Sequence, residues 1–324
     1  MYRSNMKKDG SMKVSLVIPV YYNEENLKPL YKDIKEKFID KIDYDYEIVM
    51  VNDGSQDESY SVMKELARID SNIKLFSLSR NFGSHAAILC GINNCTGDCA
   101  VVKAADLQEP TELILEMVES WKAGNNVVLA TREGRDESAK QTFFANMYYK
   151  LVQKTALPQM PDGGFDIYLI DRKVINVLNS LDEKNSALTG QILWSGFKTS
   201  TVNYRRLARE VGTSRWTLKK KVRLVMDTLF SFTSLPITMV IYVGLISMLV
   251  AMIWGVVVLV GKFSGTILVE GYTTLLIFNL LSFGITMMTL GVLGEYLWRT
   301  FEASRNRPPY IIEDMDGNQY DTNE

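Results

Sequence analysis

From residue 13 onward, short apolar runs alternate with stretches of helical period. Val14-Ser-Leu-Val-Ile-Pro-Val20 is almost wholly apolar, as a strand buried on both faces must be. Leu27, Leu30, Tyr31, Ile34 and Phe38 then recur at three- and four-residue spacing, which predicts a helix over 24–38. The pairing repeats: strand Tyr46–Val51 and helix 57–68, strand Ile73–Leu78 and a helix near 84–94, strand Cys99–Val102 and helix Glu112–Lys122. A strand at Asn126–Ala130, a polar stretch around Thr131–Lys140 and a helix over 141–154 follow, and Gly163-Gly164 turns the chain into a strand at Phe165–Ile170. Such alternation predicts an α/β domain with a mostly parallel sheet covered on both faces. Ligands of such sheets bind beyond the carboxyl ends of the strands.

The rhythm then changes. Pro236–Gly261 and Gly271–Gly294 are apolar runs without a single charge. A helix rises about 1.5 Å per residue, so roughly 20 residues cross a hydrocarbon core of about 30 Å. The pattern predicts a two-helix transmembrane hairpin. The chain then divides into a flexible tail at 1–12, a globular domain at 13–212, juxtamembrane amphipathic helices at 213–235, spans at 236–261 and 272–297 around a loop at 262–271, and a cytoplasmic tail at 298–324 whose acidic, polar end, 308–324, is expected to be flexible. Arg215, Lys219, Lys220, Lys221 and Arg223 precede the first span, Arg299, Arg305 and Arg307 follow the second, and the loop between has only Lys262. The positive-inside rule therefore places the domain and both flanks in the cytoplasm, with the loop outside, and the N-terminus has no signal-peptide pattern. Trp216, Leu218, Val222, Leu224 and Val225 interleave the basic run, a pattern suited to a helix lying on anionic lipid headgroups or to a solvated helix face. Small residues at Gly244, Gly255, Gly284, Gly291 and Gly294 permit close helix packing, within one chain or in a homo-oligomer.

Charge narrows the partners. Thirty-six basic and 38 acidic side chains leave the chain at −2, which argues against a general polyanion binder, and no nucleic acid is expected as partner. Cys90, Cys95 and Cys99 lie close together near the only histidine, His85, but no CxxC pair is present, so they read as buried thiols of a reduced compartment.

Two carboxylates fall where the sheet rule wants them. Asp53 ends the second strand in Val51-Asn-Asp-Gly-Ser55, where it can accept the imide N–H of a uracil or guanine base; the same tetrad is also good turn chemistry. Asp106 follows the fourth strand in Lys103-Ala-Ala-Asp-Leu-Gln-Glu-Pro110. It can hold a divalent cation with Gln108, or cap the helix that follows.

Together these segments resemble the inverting family 2 glycosyltransferases of GT-A fold, and among them the polyprenyl-phosphate sugar synthases. The resemblance covers roughly residues 13–305. It rests on Ile18–Leu27, Val51–Asp57, Ser79-Arg-Asn-Phe-Gly83, Ala105–Pro110, Gly164-Phe-Asp166 with Asp171-Arg172, Trp194–Phe197, Tyr204–Arg209 and Gly212–Trp216. It implies that Pro19, Tyr21, Glu24 and Asp53 line a nucleotide-sugar pocket, that Asp106 and Gln108 address Mg2+ or Mn2+ and the diphosphate, and that Asp166 is the general base. Arg206, Arg209 and Arg215 would hold the lipid phosphate, the diphosphate or both. Two departures stand out: Ala104 replaces the first carboxylate of the usual Asp-x-Asp, and Asn23 precedes Glu24 and Glu25 where the family has its acidic residue.

The expectation is a membrane-anchored enzyme that moves a sugar from a nucleotide-diphosphate sugar, foremost a UDP-hexose, to undecaprenyl phosphate at the cytoplasmic membrane face. Its product would supply a surface glycan. The rivals are a processive polysaccharide synthase, for which Gln191-Ile-Leu-Trp-Ser195 lacks the Gln-x-x-Arg-Trp arginine, and a non-catalytic membrane scaffold, suggested by Ala104. A channel or flippase would want more polar residues inside the spans.

Overall fold

The structure, a computed structural model, describes residues 12–133, 147, 149–181, 183, 187–206, 218–264 and 271–316. They form two compact units, Met1–Val222 with Pro308–Glu324, and Arg223–Arg307.

The first unit is built on an eight-stranded sheet. Its strands are β1 (Lys13–Val20), β2 (Asp45–Asn52), β3 (Ile73–Leu78), β4 (Cys99–Val102), β5 (Val127–Arg132), β6 (Ile167–Asp171), β7 (Thr199–Tyr204) and β8 (Ile312–Asp316). Their spatial order is β7-β5-β6-β4-β1-β2-β3-β8. Pairs β1–β2, β1–β4, β2–β3 and β5–β7 are parallel; β6 runs antiparallel to both β4 and β5, and β8 antiparallel to β3. The helices are α1 (Glu24–Lys37), α2 (Ser59–Ile69), α3 (Ser84–Asn94), α4 (Leu113–Lys122), α5 (Arg172–Ser180) and α6 (Leu188–Trp194).

The apolar runs are explained by coverage on both faces. Leu16, Ile18, Ile48 and Met50 join Leu27, Leu30 and Ile34 of α1, Phe38 just after it and Met117 of α4 in one fully buried cluster. Val17 and Val51 look the other way, to α3, where Gly91 lets the helix approach: a Cβ there would stand 2.4 Å from Val17 Cγ1. Each such side chain contributes about 1.5–3 kcal/mol by leaving water.

Two strands were not foreseen. β7 is an edge strand whose Thr, Ser and Asn give it no apolar run. β8 corrects the expectation of a flexible acidic tail: Ile312–Asp316 pairs with β3, while Asp314 accepts hydrogen bonds from Tyr60 Oη at 3.0 Å and Lys64 Nζ at 3.1 Å. The acidity that looked like a solvated tail has partners on α2.

The second unit contains α8 (Leu235–Phe263), α9 (Tyr272–Ser304) and most of α7 (Leu218–Phe232). Over Leu235–Val257, α8 is long and apolar enough to cross a membrane, and it is the one such helix found among the described residues. Leu245, Leu249 and Ile253 are more than half exposed, unlike a core helix. α9 is longer but more polar, with Thr273, Thr274, Asn279, Ser282, Thr286 and Thr289 before Glu295. Arg299 on α9 donates to Glu295 Oε1 at 2.9 Å and to Asp227 Oδ1 on α7 at 3.0 Å, so this flanking cation is already paired.

Candidate active site

Strand direction gathers the chemistry at one edge of the first unit's sheet. β4 and β5 end there, and the antiparallel β6 begins there, with Val102 opposite Tyr168 and Ala130 opposite Ile167. Asp106, after β4, and Asp166, just before β6, are therefore brought to the same edge although 60 residues apart. β7 runs parallel to β5 with Arg132 level with Tyr204, which brings Arg206 to that edge as well.

Arg132 forms an ion pair with Asp166 and donates through Nε to Tyr204 Oη at 3.4 Å. Arg206 donates through Nη2 to Gln108 Oε1 and lies 4.0 Å from Asp106 Oδ2. Partial burial, then the nearby charge of Arg132, lower the pKa of Arg206, as expected of two guanidiniums sharing one edge. Tyr204 is buried, and burial raises its phenol pKa. Asp166 is placed by Gly164: its φ of +73° is one that residues with a Cβ seldom adopt, and a Cβ there would stand within 2.7 Å of the Tyr149 ring.

The remaining predicted site residues lie at the carboxyl ends of β1 and β2. Pro19 is half-buried in β1 opposite Val51, and Tyr21 follows the strand with its ring edge-on to Tyr22, centroids 4.7 Å apart. One oxygen of Glu24 accepts the backbone N–H of Glu58 at 2.7 Å, which fixes that carboxylate over the start of α2; Glu25 is exposed. Asp53 is 2 % exposed, and its carboxylate accepts from Phe82 N at 2.7 Å, Gly83 N at 3.0 Å and Asn81 Nδ2 at 3.0 Å. It thus holds the loop between β3 and α3. Gly54 lets the two loops touch, since a Cβ on it would fall 2.4 Å from the Arg80 carbonyl carbon.

Asp106 and Gln108 suit a divalent cation. Their oxygens already converge on one positive group, the Arg206 guanidinium. Among the described residues no cluster of three or more His, Cys, Asp or Glu could hold a metal ion. One carboxylate with substrate phosphates is, however, a common way to hold Mg2+. Arg209 and Arg215 lie outside the described residues. Arg132 was missed by the sequence reading; its only signal was a basic residue at the end of an apolar strand, in Val127–Arg132. The three cysteines are buried and unpaired, and burial raises their thiol pKa values.

Residues 15–178 match the sequence profile of Glycosyl transferase family 2. The Bacillus subtilis glycosyltransferase YkcC, itself uncharacterized, is 37 % identical over 92 % of this chain and 93 % of its own. A prophage bactoprenol glucosyl transferase homolog of Escherichia coli K12 is 35 % identical over 93 % of this chain and 99 % of its own. The bactoprenol glucosyl transferase of Shigella phage SfV is 34 % identical over 93 % and 98 %. Among solved structures, a Pyrobaculum calidifontis mannosyltransferase in complex with GDP-Man and Mn2+ superposes with a TM-score of 0.47 at 18 % identity, over 66 % of this chain and 61 % of that one.

Proposed function

We infer the function from the family: the chain belongs to glycosyl transferase family 2 and is a glycosyltransferase. On that premise we propose that it moves a hexose from a UDP-sugar to undecaprenyl phosphate at the cytoplasmic face of a membrane. The observation that carries this reading is the pairing of two arginines with two acidic residues at one sheet edge, Arg132 with Asp166 and Arg206 with Asp106. A reaction between a diphosphate donor and a phosphate acceptor brings anions from both sides, and guanidinium forks suit them. Relatives named as bactoprenol glucosyl transferases support a lipid carrier as acceptor. The apolar helix α8 supports membrane attachment. α9 serves as the second span of a hairpin, with the catalytic domain cytoplasmic.

Pro19 and Tyr21 wall the nucleotide pocket, while Glu24 and Asp53 hold its loops in place. Arg206, with Arg209 and Arg215, binds phosphate. Asp106 and Gln108 are the residues that would hold Mg2+ or Mn2+, whose charge eases departure of the diphosphate. The incoming phosphates compete for the arginines, which frees Asp166 from Arg132. Asp166 then orients the acceptor phosphate and takes its proton where one remains. An acceptor oxygen forms the bond to the anomeric carbon, the bond to the nucleotide diphosphate breaks with its electron pair leaving on the phosphate, and the centre inverts.

The test is transfer in detergent from a panel of labelled UDP- and GDP-sugars to undecaprenyl phosphate, with Mg2+ or Mn2+ and then with EDTA. A lipid-extractable, chelator-sensitive product from a UDP-hexose is the expected result. A product from a different donor would change the sugar assignment. No product from any donor, with folded protein, would overturn the reading in favour of a scaffold.

A further inference from the structure

Lys103 is out of place by ordinary rules. It directly follows β4, its N–H donates to Val17 O at 3.0 Å, and its side chain is only 2 % exposed. A lysine is almost never buried this fully unless it is paired, because taking an ammonium out of water costs several kcal/mol. A methionine of similar length would fill the same space without that cost, so packing alone does not account for the charge.

What the ammonium does is visible in its bonds. Lys103 Nζ donates to the backbone oxygen of Glu109 at 2.6 Å. Glu109, itself 6 % exposed, answers in the opposite sense: its Oε2 accepts the N–H of Ala104 at 2.9 Å. The loop from 104 to 108 is thereby closed at its neck by two reciprocal bonds. Within it, Leu107 has φ +56°, a left-handed conformation that costs about 1–2 kcal/mol for a residue with a Cβ. Such a conformation persists where its surroundings over-determine it. Beneath the neck, Thr111 Oγ1 donates to Asp33 Oδ2 at 2.5 Å, and Lys37 holds the other oxygen of Asp33 at 2.8 Å, so the support is itself fixed.

This loop presents Asp106 and Gln108. We propose that Lys103, clamped with Glu109, is a positioning residue for the cation and diphosphate site, and that this pre-organisation compensates for the carboxylate missing at Ala104. A site with fewer protein ligands binds well only if those it has need no further ordering. The inference rests on the reading of Asp106 and Gln108 as cation ligands.

The experiment measures Mn2+ binding by the full-length protein in detergent, from the electron-spin signal of free Mn2+, with and without UDP. Wild type, Lys103→Met and Asp106→Asn are compared, and thermal unfolding is recorded for each. Partners that orient metal ligands are worth about 10–100-fold in affinity. Lys103→Met is therefore expected to weaken Mn2+ binding at least about tenfold, with an unfolding temperature no lower than wild type. Should Lys103→Met not fold, Glu109→Ala opens the same neck from its other side and is held to the same outcome. Wild-type affinity in the variant would overturn the inference and leave the site reading intact. Absence of Mn2+ binding by wild type, or unchanged binding in Asp106→Asn, would overturn both together.

Discussion

The two ends of the sheet hold charge in opposite ways. At the amino ends of β1 and β2, Glu47 is 1 % exposed, yet it accepts from Ser15 Oγ at 2.6 Å, from Thr96 Oγ1 at 2.8 Å, and from the backbone amides of Thr96 and Gly97. Lys74 and Lys13 add ammonium groups at 2.8 and 3.1 Å. At the carboxyl ends, Asp166 and Asp106 have arginine partners and keep some contact with solvent, Asp166 with 45 % of its side chain exposed and Asp106 with 18 %. The first cluster is saturated in part by backbone that cannot leave. The second is held by long side chains that a phosphate can draw away. The difference separates a charge that maintains the fold from one available for work, and it predicts opposite consequences of mutation.

The largest effect belongs to the open end. Asp166→Asn removes the group proposed to orient and deprotonate the acceptor, and sugar transfer is expected to fall on the order of 1,000-fold. UDP binding and the unfolding temperature should stay at wild-type values. Transfer at the wild-type rate would remove Asp166 from the mechanism.

At the closed end the expectation reverses. Glu47→Gln breaks a buried charge cluster and should cost about 3 kcal/mol, roughly 6–12 °C in unfolding temperature, with turnover of the folded protein unchanged. The same residue gives a pH signature. Burial alone would raise its pKa, but the hydrogen bonds from Lys74, Ser15 and Thr96 outweigh it and hold the carboxyl well below the usual range. A folded-state pKa lower than the unfolded one means that the stabilisation is complete above the ordinary glutamate value of about 4.3 and is lost as pH falls beneath it. Unfolding temperature against pH should therefore drop more steeply below that value in wild type than in Glu47→Gln.

An intermediate effect tests the arginines. Arg206→Ala with Arg209→Ala removes the two proposed phosphate contacts, worth about 1.5–3 kcal/mol each, so kcat/KM is expected to fall at least about 100-fold. If saturation by both substrates is unchanged, the arginines are not the phosphate holders.

The two ends were not equally legible in the sequence. Buried parallel strands announce themselves, because Val14–Val20 and Tyr46–Val51 must be apolar on both faces, and the carboxylates after them fall where the topology opens. Edge strands carry no such signal: β7 is Thr-Ser-Thr-Val-Asn-Tyr, and β8 is acidic. Arg132 escaped notice because its meaning comes from pairing across the sheet with Tyr204 and Asp166, which are 72 and 34 residues away. The clusters around Glu47 and Lys103 were hidden for a related reason. A charged residue within or just after a strand, as Glu47 and Lys103 are, reads as exposed until the partners that close over it are known.

The smallest effect sets the limit of the comparison. Asp314 on β8 resembles the open-end acids, being partly exposed and accepting from the side chains of Tyr60 and Lys64. It differs in place: β8 lies at the side edge of the sheet, beyond β3, and not where β4, β5 and β6 meet. If position at the strand ends decides function, and exposure alone does not, Asp314→Asn should cost only about 0.5 kcal/mol, as for other exposed ion pairs, and leave turnover within about twofold. Unfolding temperature and transfer rate measured on one preparation decide the matter. A collapse of transfer at preserved stability would mean that the returning strand belongs to the catalytic machinery, and that the division between a working end and a maintaining end is drawn too narrowly.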